Sequence, residues 1–324
     1  MRILITGGTG FIGKQLAQRL LDMNSLALDG QAPRPIERIV LFDAFAGDGV
    51  PADPRIELVT GDIADPGVVA RVTDGIDLVW HLAAVVSSAA EADFDLGMQV
   101  NLHGLMTLLE TLRKQGKTPR LVSASGFAVF GGRLPEVVND DTALTPQSSY
   151  GMQKAVGELL VADYARKGFV DGRVVRLPTV AVRPGKPNKA ASTFFSSIIR
   201  DPLVGLPAVC PVHPGTRVYL TSPRRVIESM LLAMTLSPQT LGNERIIPLP
   251  GVTTTVADMV AALQRVAGDE VVKLIRWEPD ATIQRIVEGW PSQVDAPRAR
   301  ALGFNADADF DAIIRAHIED TAAG

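Results

Sequence analysis

Short apolar runs alternate with longer amphipathic stretches over the first 125 residues, and the alternation continues to residue 177. The short runs are rich in β-branched residues and predict strands, whereas the longer stretches repeat with a helical period. This succession is typical of βαβ units, which build a parallel sheet in an α/β fold. Strands are predicted at 2–6, 37–42, 56–60, 77–82, 119–124 and 172–177, and helices near 11–22, 65–73, 93–115 and 150–167.

The pattern changes after Pro178, where prolines recur up to residue 214 and only one short helix is predicted, near 190–200. We expect a nucleotide-binding domain at 1–177 and a smaller C-terminal α/β lobe at 178–324 that binds substrate. Part of 216–250 is expected to pack back on the first domain. The segment Asp22–Glu37, with its glycine and prolines, predicts a surface insertion. The shorter elements of the second lobe are predicted at 216–221, 223–235, 245–249, 255–267 and 271–275, followed by a helix ending at 310–318.

A glycine-rich turn lies between the first predicted strand and the first predicted helix. Gly7 allows a tight turn, Gly10 lets the backbone approach a pyrophosphate, and Gly13 lets the helix pack closely on the sheet. The amides of Phe11 and Ile12 open the helix and can face an anion. In this context the turn predicts a dinucleotide site, whereas a bare glycine triplet would indicate only a loop.

Acidic and small residues at the ends of later strands extend this prediction. Asp43 ends the second strand, where its carboxylate can accept hydrogen bonds from ribose hydroxyls and repel a 2′-phosphate, so NAD is favoured over NADP. It lies 30 residues beyond Gly13 because of the insertion. Asp62 and Ile63 follow the third strand and could contact the adenine edge. The segment Leu82-Ala83-Ala84 follows the fourth strand and offers small residues where the cofactor needs room.

Tyr150 and Lys154 lie four residues apart at the start of a predicted helix, so both side chains project from one face. A nearby ammonium favours the phenolate and lowers the tyrosine pKa from its reference of about 10 towards a value useful for a general base. A tyrosine and a lysine at this spacing often have no function. After a dinucleotide-binding turn, the pair predicts a catalytic site.

The chain resembles the extended short-chain dehydrogenase/reductase family. The resemblance implies a Rossmann-type doubly wound parallel sheet with NAD at its carboxyl edge, and Tyr150 as proton acceptor or donor. It further implies that Lys154 holds the nicotinamide ribose, that Asn101 supports the local backbone, and that helices 93–115 and 150–167 pair across a homodimer. The motifs that carry the resemblance are Thr6–Gly13, Asp62-Ile63, His81–Ala84, Asn101, Val129-Phe130-Gly131, Tyr150–Lys154 and Arg176–Val180, the last adding Pro178 to the cofactor-binding residues.

Within that family the segment Leu177–Ser192 resembles the branch of D-erythronate dehydrogenases, which act on a four-carbon sugar acid. Ala128–Gly132 and Ser149–Gly151 fit the same branch. The resemblance implies that the 2-hydroxyl of D-erythronate is oxidised to 2-oxo-tetronate while a hydride passes to NAD.

One position departs from the family pattern. The family places its catalytic serine five residues before the glycine of Val129-Phe130-Gly131, and that position is Gly126, which has no hydroxyl. Ser125 directly precedes it and is the candidate for both the catalytic and the substrate contact. Three alternatives remain open: Ser125 takes the role through a local bulge, a water or Thr179 supplies the hydrogen bond, or the chain is a natural or engineered variant with reduced activity.

The second lobe supplies cations for a carboxylate substrate, which requires a planar cation or several amides. Candidates are Arg183, Lys186, Lys189 and Arg217, each of which would by itself more often be a solvated charge. Arg217 precedes a predicted strand that related enzymes bring back towards the substrate. Together these cations predict an anionic substrate, and Thr179 is a further candidate for a substrate contact.

Composition narrows the class of protein. A net charge of −4, a pI near 5.6 and 5% aromatic residues argue against nucleic acid as a partner. The single cysteine, Cys210, does not indicate an oxidising compartment, and no apolar run reaches the roughly 18 residues that span a bilayer. We expect a cytoplasmic protein with no membrane partner. The four histidines are too far apart in the sequence to predict a metal site.

Two alternatives to a dehydrogenase stay open. A nucleotide-sugar epimerase of the same superfamily would reduce and reoxidise NAD within one catalytic cycle and release no NADH. A non-catalytic protein could instead sense NAD with the same fold. The missing hydroxyl at Gly126 favours the sensor, whereas Tyr150 and Lys154 favour an enzyme.

Overall fold

The structure is a computed structural model that describes residues 1–185 and 191–323. Within those residues no helix is long and apolar enough to cross a membrane, and no group of three or more His, Cys, Asp or Glu side chains could hold a metal ion. The chain divides into two compact units. The first comprises Met1–Ser125, Ser148–Arg176 and Ile227–Ile247, and the second Gly126–Gln147, Leu177–Val226 and Pro248–Gly324.

A seven-stranded parallel sheet forms the centre of the first unit and confirms the predicted α/β, doubly wound class. Its first strand, Arg2–Thr6, lies inside the sheet, between Arg38–Asp43 on one side and Leu78–His81 on the other. Neighbouring crossovers run in opposite directions from this point, which is where doubly wound sheets bind their ligands. In spatial order the strands are Ile246–Pro248, Asp171–Leu177, Arg120–Gly126, Leu78–His81, Arg2–Thr6, Arg38–Asp43 and Ile56–Thr60.

Helices cover this sheet close to the predicted positions. The segment expected as one helix over 93–115 is interrupted by a π-helical turn at Met98–His103. Such turns often mark functional sites because they shift side chains out of the regular helical rows. The α-helices of the first unit are Phe11–Met23, Pro66–Val72, Ser87–Ala92, Phe94–Gly97, Gly104–Gln115, Ser149–Arg166 and Pro238–Leu241, and most of Pro223–Thr235 also belongs to it.

The segment expected as a surface insertion is anchored rather than loose. Ser25–Leu26 pairs with Arg34–Pro35 in a short antiparallel ribbon, and the Leu26 side chain is buried. Asp29 accepts a hydrogen bond from Arg120 at 2.9 Å. The insertion therefore contributes apolar area and an ion pair to the first unit.

The sequence predicts one boundary, after residue 177, with part of 216–250 packing back on the first domain, whereas in the structure each unit is built from three segments. Residues 227–247 belong to the first unit because Ile246–Pro248 extends its sheet and the Trp80 indole donates to the Met230 carbonyl at 3.1 Å. Residues 126–147 belong to the second unit. The boundary at 176/177 is thus one of several crossings between the units.

The second unit contains two small sheets around its own apolar core. Thr179–Val180 pairs in parallel with Arg217–Thr221, which pairs antiparallel with Val252–Thr255. Ala208–Cys210 pairs in parallel with Ile275–Trp277. Its helices are Phe194–Leu203, Val256–Ala267, Asp269–Val272, Ala281–Glu288, Pro297–Ala301 and Phe310–Ala323, with single 3₁₀ turns at Phe127–Val129 and Ala191–Thr193.

Candidate active site

The glycine-rich turn follows the strand Arg2–Thr6 and is packed too tightly for side chains at Gly7 and Gly13. Gly7 has a φ of +69°, and a Cβ there would lie 2.8 Å from the Ala83 nitrogen. A Cβ on Gly13 would lie 2.8 Å from the Gly8 Cα, so the helix can begin directly over the turn. Only glycine permits these two approaches.

The helix Phe11–Met23 begins without a side-chain cap because Gly10 occupies its N-cap position. The amides of its first turn, including those of Phe11, Ile12 and Gly13, have no acceptors four residues earlier within the helix. Aligned amides and the helix dipole make this end suited to an anion. The residues present therefore fit the pyrophosphate of NAD.

Asp43 lies beside this turn despite the long insertion. Its Oδ2 accepts a hydrogen bond from the Thr9 amide at 3.1 Å and its Oδ1 accepts one from the Ala44 amide at 2.8 Å. Each carboxylate oxygen keeps a further acceptor site, so the ribose hydroxyls predicted from the sequence could also bind there.

The loop after the fourth strand is held against the turn by a chain of hydrogen bonds. The Ala83 amide donates to the Thr6 hydroxyl at 3.3 Å, and that hydroxyl shares a second hydrogen bond with Nδ1 of His81 at 2.9 Å. Burial, with a further effect of Lys154, lowers the His81 pKa to about 3, so the ring is neutral near pH 7. Leu82 and Ala84 flank Ala83 in this loop.

Asp62 and Ile63 follow the third strand as predicted. The Asp62 carboxylate accepts the Ala64 amide at 2.8 Å, which shapes the turn. The Ile63 side chain is buried in the core against Gly104. An adenine contact by either residue stays a prediction.

Asn101 lies in the π-helical turn and joins two parts of the site. Its side chain accepts from the Val85 amide at 2.7 Å and donates to the Val85 carbonyl at 3.1 Å, which agrees with the predicted backbone support. It also donates to Oε1 of Gln153 at 2.7 Å. Gln153 is fully buried, and its Nε2 lies where a Cβ on Gly97 would clash.

Sequence reasoning missed Gln153. Its position between Tyr150 and Lys154 in the sequence was visible, but a glutamine in an amphipathic helix usually predicts a solvated position. The feature that accommodates it is Gly97 on a distant segment, which leaves room for a buried amide, so no signal near Gln153 in the sequence could have found it.

The helix Ser149–Arg166 brings Tyr150 and Lys154 onto one face. The Ser148 hydroxyl caps its start by accepting from the Gly151 amide at 3.1 Å. The Lys154 ammonium lies 5.6 Å from the centre of the Tyr150 ring and donates to the Ala124 carbonyl at 3.0 Å. Burial lowers the Lys154 pKa to about 8, and the charge of Glu158 opposes that shift.

Ser125 is the residue directly after the carbonyl that Lys154 binds. It is 6% exposed, and its Oγ has no hydrogen-bond partner among the described residues. A buried hydroxyl without a partner is rare in folded proteins and often marks a functional site. Gly126 is extended, and a Cβ there would meet only the Leu177 carbonyl oxygen, at 3.5 Å.

The second unit contains the remaining predicted residues. Thr179 and Arg217 line one narrow cleft together with Trp290, which sequence reasoning did not single out. The Arg217 guanidinium donates to Gln293 at 2.7 Å. A wider depression of about 500 Å³ near His213 contains none of the predicted residues.

Other predicted residues of this unit are separate from that cleft. Arg183 donates to the Ser192 hydroxyl at 3.3 Å, and its amide donates to Ser196 at 3.0 Å. Pro178 packs close to Gly251. Lys186 and Lys189 lie outside the described residues.

The fold and the turn define an NAD-binding enzyme of the α/β class. Residues 3–219 match the NAD dependent epimerase/dehydratase family, and the chain belongs to this family. NAD is its cofactor, and the chain is an NAD-dependent oxidoreductase. The resemblance predicted from the motifs is thereby confirmed.

Particular relatives are similar over nearly the whole chain. The chain is 54% identical over 321 residues to D-erythronate dehydrogenase of Cupriavidus necator, covering 99% of this chain and 98% of that protein. It is 44% identical over 320 residues to D-erythronate dehydrogenase of Haemophilus influenzae, covering 98% and 99%.

Solved structures share the fold. A nucleoside-diphosphate-sugar epimerase from Agrobacterium tumefaciens superposes with a TM-score of 0.94 at 42% identity, covering 100% of this chain and 95% of that one. L-threonine 3-dehydrogenase from Trypanosoma brucei superposes with a TM-score of 0.86 at 24% identity, covering 99% and 97%, and shows the fold alone.

Proposed function

We propose that the protein oxidises the 2-hydroxyl of D-erythronate to 2-oxo-tetronate with NAD. The observation that carries the chemistry is the pairing of Tyr150 with Lys154, whose ammonium lies 5.6 Å from the phenol ring. The substrate is inferred from the two D-erythronate dehydrogenases, which are 54% and 44% identical to the chain.

Tyr150 acts as the general base. Its phenolate, favoured by the Lys154 ammonium, removes the proton of the substrate 2-hydroxyl as the carbonyl forms. Bound NAD supplies the acceptor for the hydride that leaves carbon 2. The substrate thus loses one proton to Tyr150 and one hydride to the cofactor, and no other oxidant is required.

Ser125 donates a hydrogen bond to the substrate oxygen. Its buried Oγ has no partner among the described residues, so it is available for that role. A donor directed at developing charge stabilises the transition state without reorganisation of the site. Water or Thr179 as the donor are the alternatives to Ser125.

The cations of the second unit bind the substrate carboxylate. Arg217 is our first choice because it lines a cleft together with Thr179. Arg183 and Lys189 are further candidates, and a guanidinium can bind a carboxylate through two parallel hydrogen bonds.

The remaining residues bind the cofactor. The turn at Gly7, Gly10 and Gly13 with the amides of Phe11 and Ile12 holds the pyrophosphate, and Asp43 binds the adenosine ribose. Lys154 holds the nicotinamide ribose, and Asn101 fixes the loop at Val85. The other cofactor contacts that we propose are Asp62, Ile63, Leu82, Ala83, Ala84, Tyr150 and Pro178.

An NADH-release assay across D- and L-tetronates tests the proposal. We expect NADH to accumulate with D-erythronate, and Tyr150→Phe still to bind NAD while it loses turnover by at least about 10²-fold. Full activity of Tyr150→Phe would exclude Tyr150 as the base. NAD binding without NADH formation on any tetronate would support an NAD sensor instead.

An epimerase is the second candidate, supported by the 42% identical structure described as a nucleoside-diphosphate-sugar epimerase. An epimerase would interconvert nucleotide sugars and release no NADH. Product analysis by chromatography alongside the NADH assay separates the two activities.

We further propose a homodimer that pairs the helices Gly104–Gln115 and Ser149–Arg166. Met106 and Leu159 expose 43% and 61% of their surface on these helices. Multi-angle light scattering measures the mass, for which a dimer predicts twice the 34.6 kDa of one chain. The cytoplasmic location stays a prediction.

A further inference from the structure

A buried ion pair lies one helical turn beyond Lys154. Glu158 is 1% exposed, and Arg176 on the strand Asp171–Leu177 is 6% exposed. The Arg176 Nε donates to both carboxylate oxygens, at 2.9 and 3.1 Å, and its Nη2 donates to Oε2 at 2.7 Å. Both oxygens of Glu158 are thus occupied by one planar guanidinium.

Lys154 and Glu158 are four residues apart, the spacing at which a lysine and a glutamate on a helix form an ion pair. Lys154 instead donates to the Ala124 carbonyl. The charged and titratable groups around its ammonium are His81 on the strand Leu78–His81, which is neutral, and Tyr150 and Glu158 on its own helix. Glu158 is therefore the carboxylate of this set among the described residues.

We propose that Arg176 is a positioning residue that prevents the Glu158 carboxylate from forming a direct ion pair with the Lys154 ammonium. The guanidinium holds the carboxylate one turn away, where its charge supports the buried ammonium without binding it directly. Lys154 thereby keeps its hydrogen bond to the Ala124 carbonyl and remains beside the Tyr150 ring. This inference rests on the proposed role of Tyr150 and adds a residue that the general-base mechanism does not itself require.

Loss of Arg176 would reverse this arrangement. A buried carboxylate that loses its partner is strongly destabilised, and Lys154 is the cation on the same helix that could pair with it. A lysine paired directly with that carboxylate would offer Tyr150 much less positive charge. Because an opposite charge within about 4–6 Å shifts a pKa by roughly 1–3 units, the Tyr150 phenol should then ionise about one pH unit higher or more.

The phenol can be followed directly because the chain has only three tyrosines. Burial and the Glu110 carboxylate raise the pKa of Tyr164 to about 12, and burial raises the pKa of Tyr219 further. Absorbance at 295 nm during an alkaline titration should therefore show Tyr150 ionising first. The full-length Tyr150→Phe protein identifies this step by its absence.

The test uses three variants. Two are the single substitutions Arg176→Met and Arg176→Lys, and the third is a double variant that combines Arg176→Met with Glu158→Gln. In Arg176→Met we expect the pH at which the Tyr150 phenol ionises to rise by about one unit and the turnover at pH 7 to fall about tenfold. The double variant should return the step to within about 0.3 pH units, because no buried carboxylate remains to bind Lys154. Arg176→Lys should lie between these two and stay folded.

Arg173→Met is the matched control, because Arg173 lies on the same strand, is fully buried, and pairs with Asp171 at 2.6 Å. It should lower the melting temperature without moving the Tyr150 step. The proposal is overturned if Arg176→Met and Arg176→Lys leave the step in place, or if the double variant shifts it as far as Arg176→Met. Because the titration needs no substrate, a wrong substrate assignment would leave this result unaffected.

Discussion

Replacing Ser125 with alanine should make the protein more stable and the enzyme slower. The Ser125 Oγ is buried and has no partner among the described residues. An unpaired buried hydroxyl costs about 1–3 kcal/mol of folding free energy. Alanine removes that hydroxyl and keeps the Cβ, so the free energy of unfolding should rise by up to this amount without substrate.

The same substitution removes the proposed donor to the substrate oxygen. Loss of one such donor lowers turnover by about 10²–10³-fold, or roughly 2.7–4 kcal/mol of transition-state stabilisation. Few single substitutions raise stability while they abolish turnover, because most changes in a packed interior destabilise the fold. The combination therefore distinguishes a residue reserved for substrate from a residue that supports the structure.

Urea unfolding followed by tryptophan fluorescence measures the first effect, and NADH release measures the second. Ser197→Ala is a suitable control, since that buried hydroxyl already donates to the Phe194 carbonyl at 3.4 Å and its loss should not stabilise the protein. A Ser125→Ala protein that is less stable than the parent, or that keeps turnover within about threefold, would refute the reasoning.

Three further predictions follow from the same structure. Gly126→Ser should fold normally, because its Cβ would meet only the Leu177 oxygen at 3.5 Å, and with Ser125 as the donor it should not raise turnover in the NADH assay; a raised rate would instead support the alternative that a hydroxyl is missing at position 126. Arg217→Glu should raise the KM for the sugar acid by about tenfold or more while calorimetry shows unchanged NAD affinity, and equal losses would place Arg217 outside the substrate site. The pKa of His81 falls from 6.5 to about 3 on folding, so the unfolded chain binds the extra proton and stability is lost as the pH falls from 6.5 towards 3. At pH 5 this amounts to about 2 kcal/mol, from 1.5 pH units at roughly 1.36 kcal/mol each. Urea unfolding at pH 7 and at pH 5 measures the difference in unfolding free energy. This difference should be present in the control His103→Gln, whose histidine is exposed, and absent in His81→Gln.

Much of the fold could be predicted because its signals are local. Strand and helix periods placed the six predicted strands of the first unit close to their observed positions, and the turn at Gly7–Gly13 needed only neighbouring residues. Tyr150 and Lys154 could likewise be paired from helical spacing alone. The π-helical turn at Met98–His103 could not, since its residues fit a regular helix equally well.

The polar residues beneath the site depended on distant parts of the chain. Gln153 is buried because Gly97 leaves it room, and Glu158 is buried because Arg176, 18 residues later, neutralises it. From the sequence alone, both residues would be assigned to the solvent-exposed face of the helix because they are polar. Burial of a polar group is favourable only when a partner from another element satisfies it, and no local pattern names that partner.

The sequence by itself determined the class of fold, the glycine-rich turn and the pairing of Tyr150 with Lys154, because each follows from spacing within one element or one strand-turn-helix unit. Tertiary structure alone decided which amide of the turn Asp43 binds, which part of 216–250 completes the first unit, and that the Ser125 Oγ has no partner among the described residues. These features arise when separate strands end at the same edge of one sheet. Their energies depend on burial and on partners, which exist only after the chain has folded.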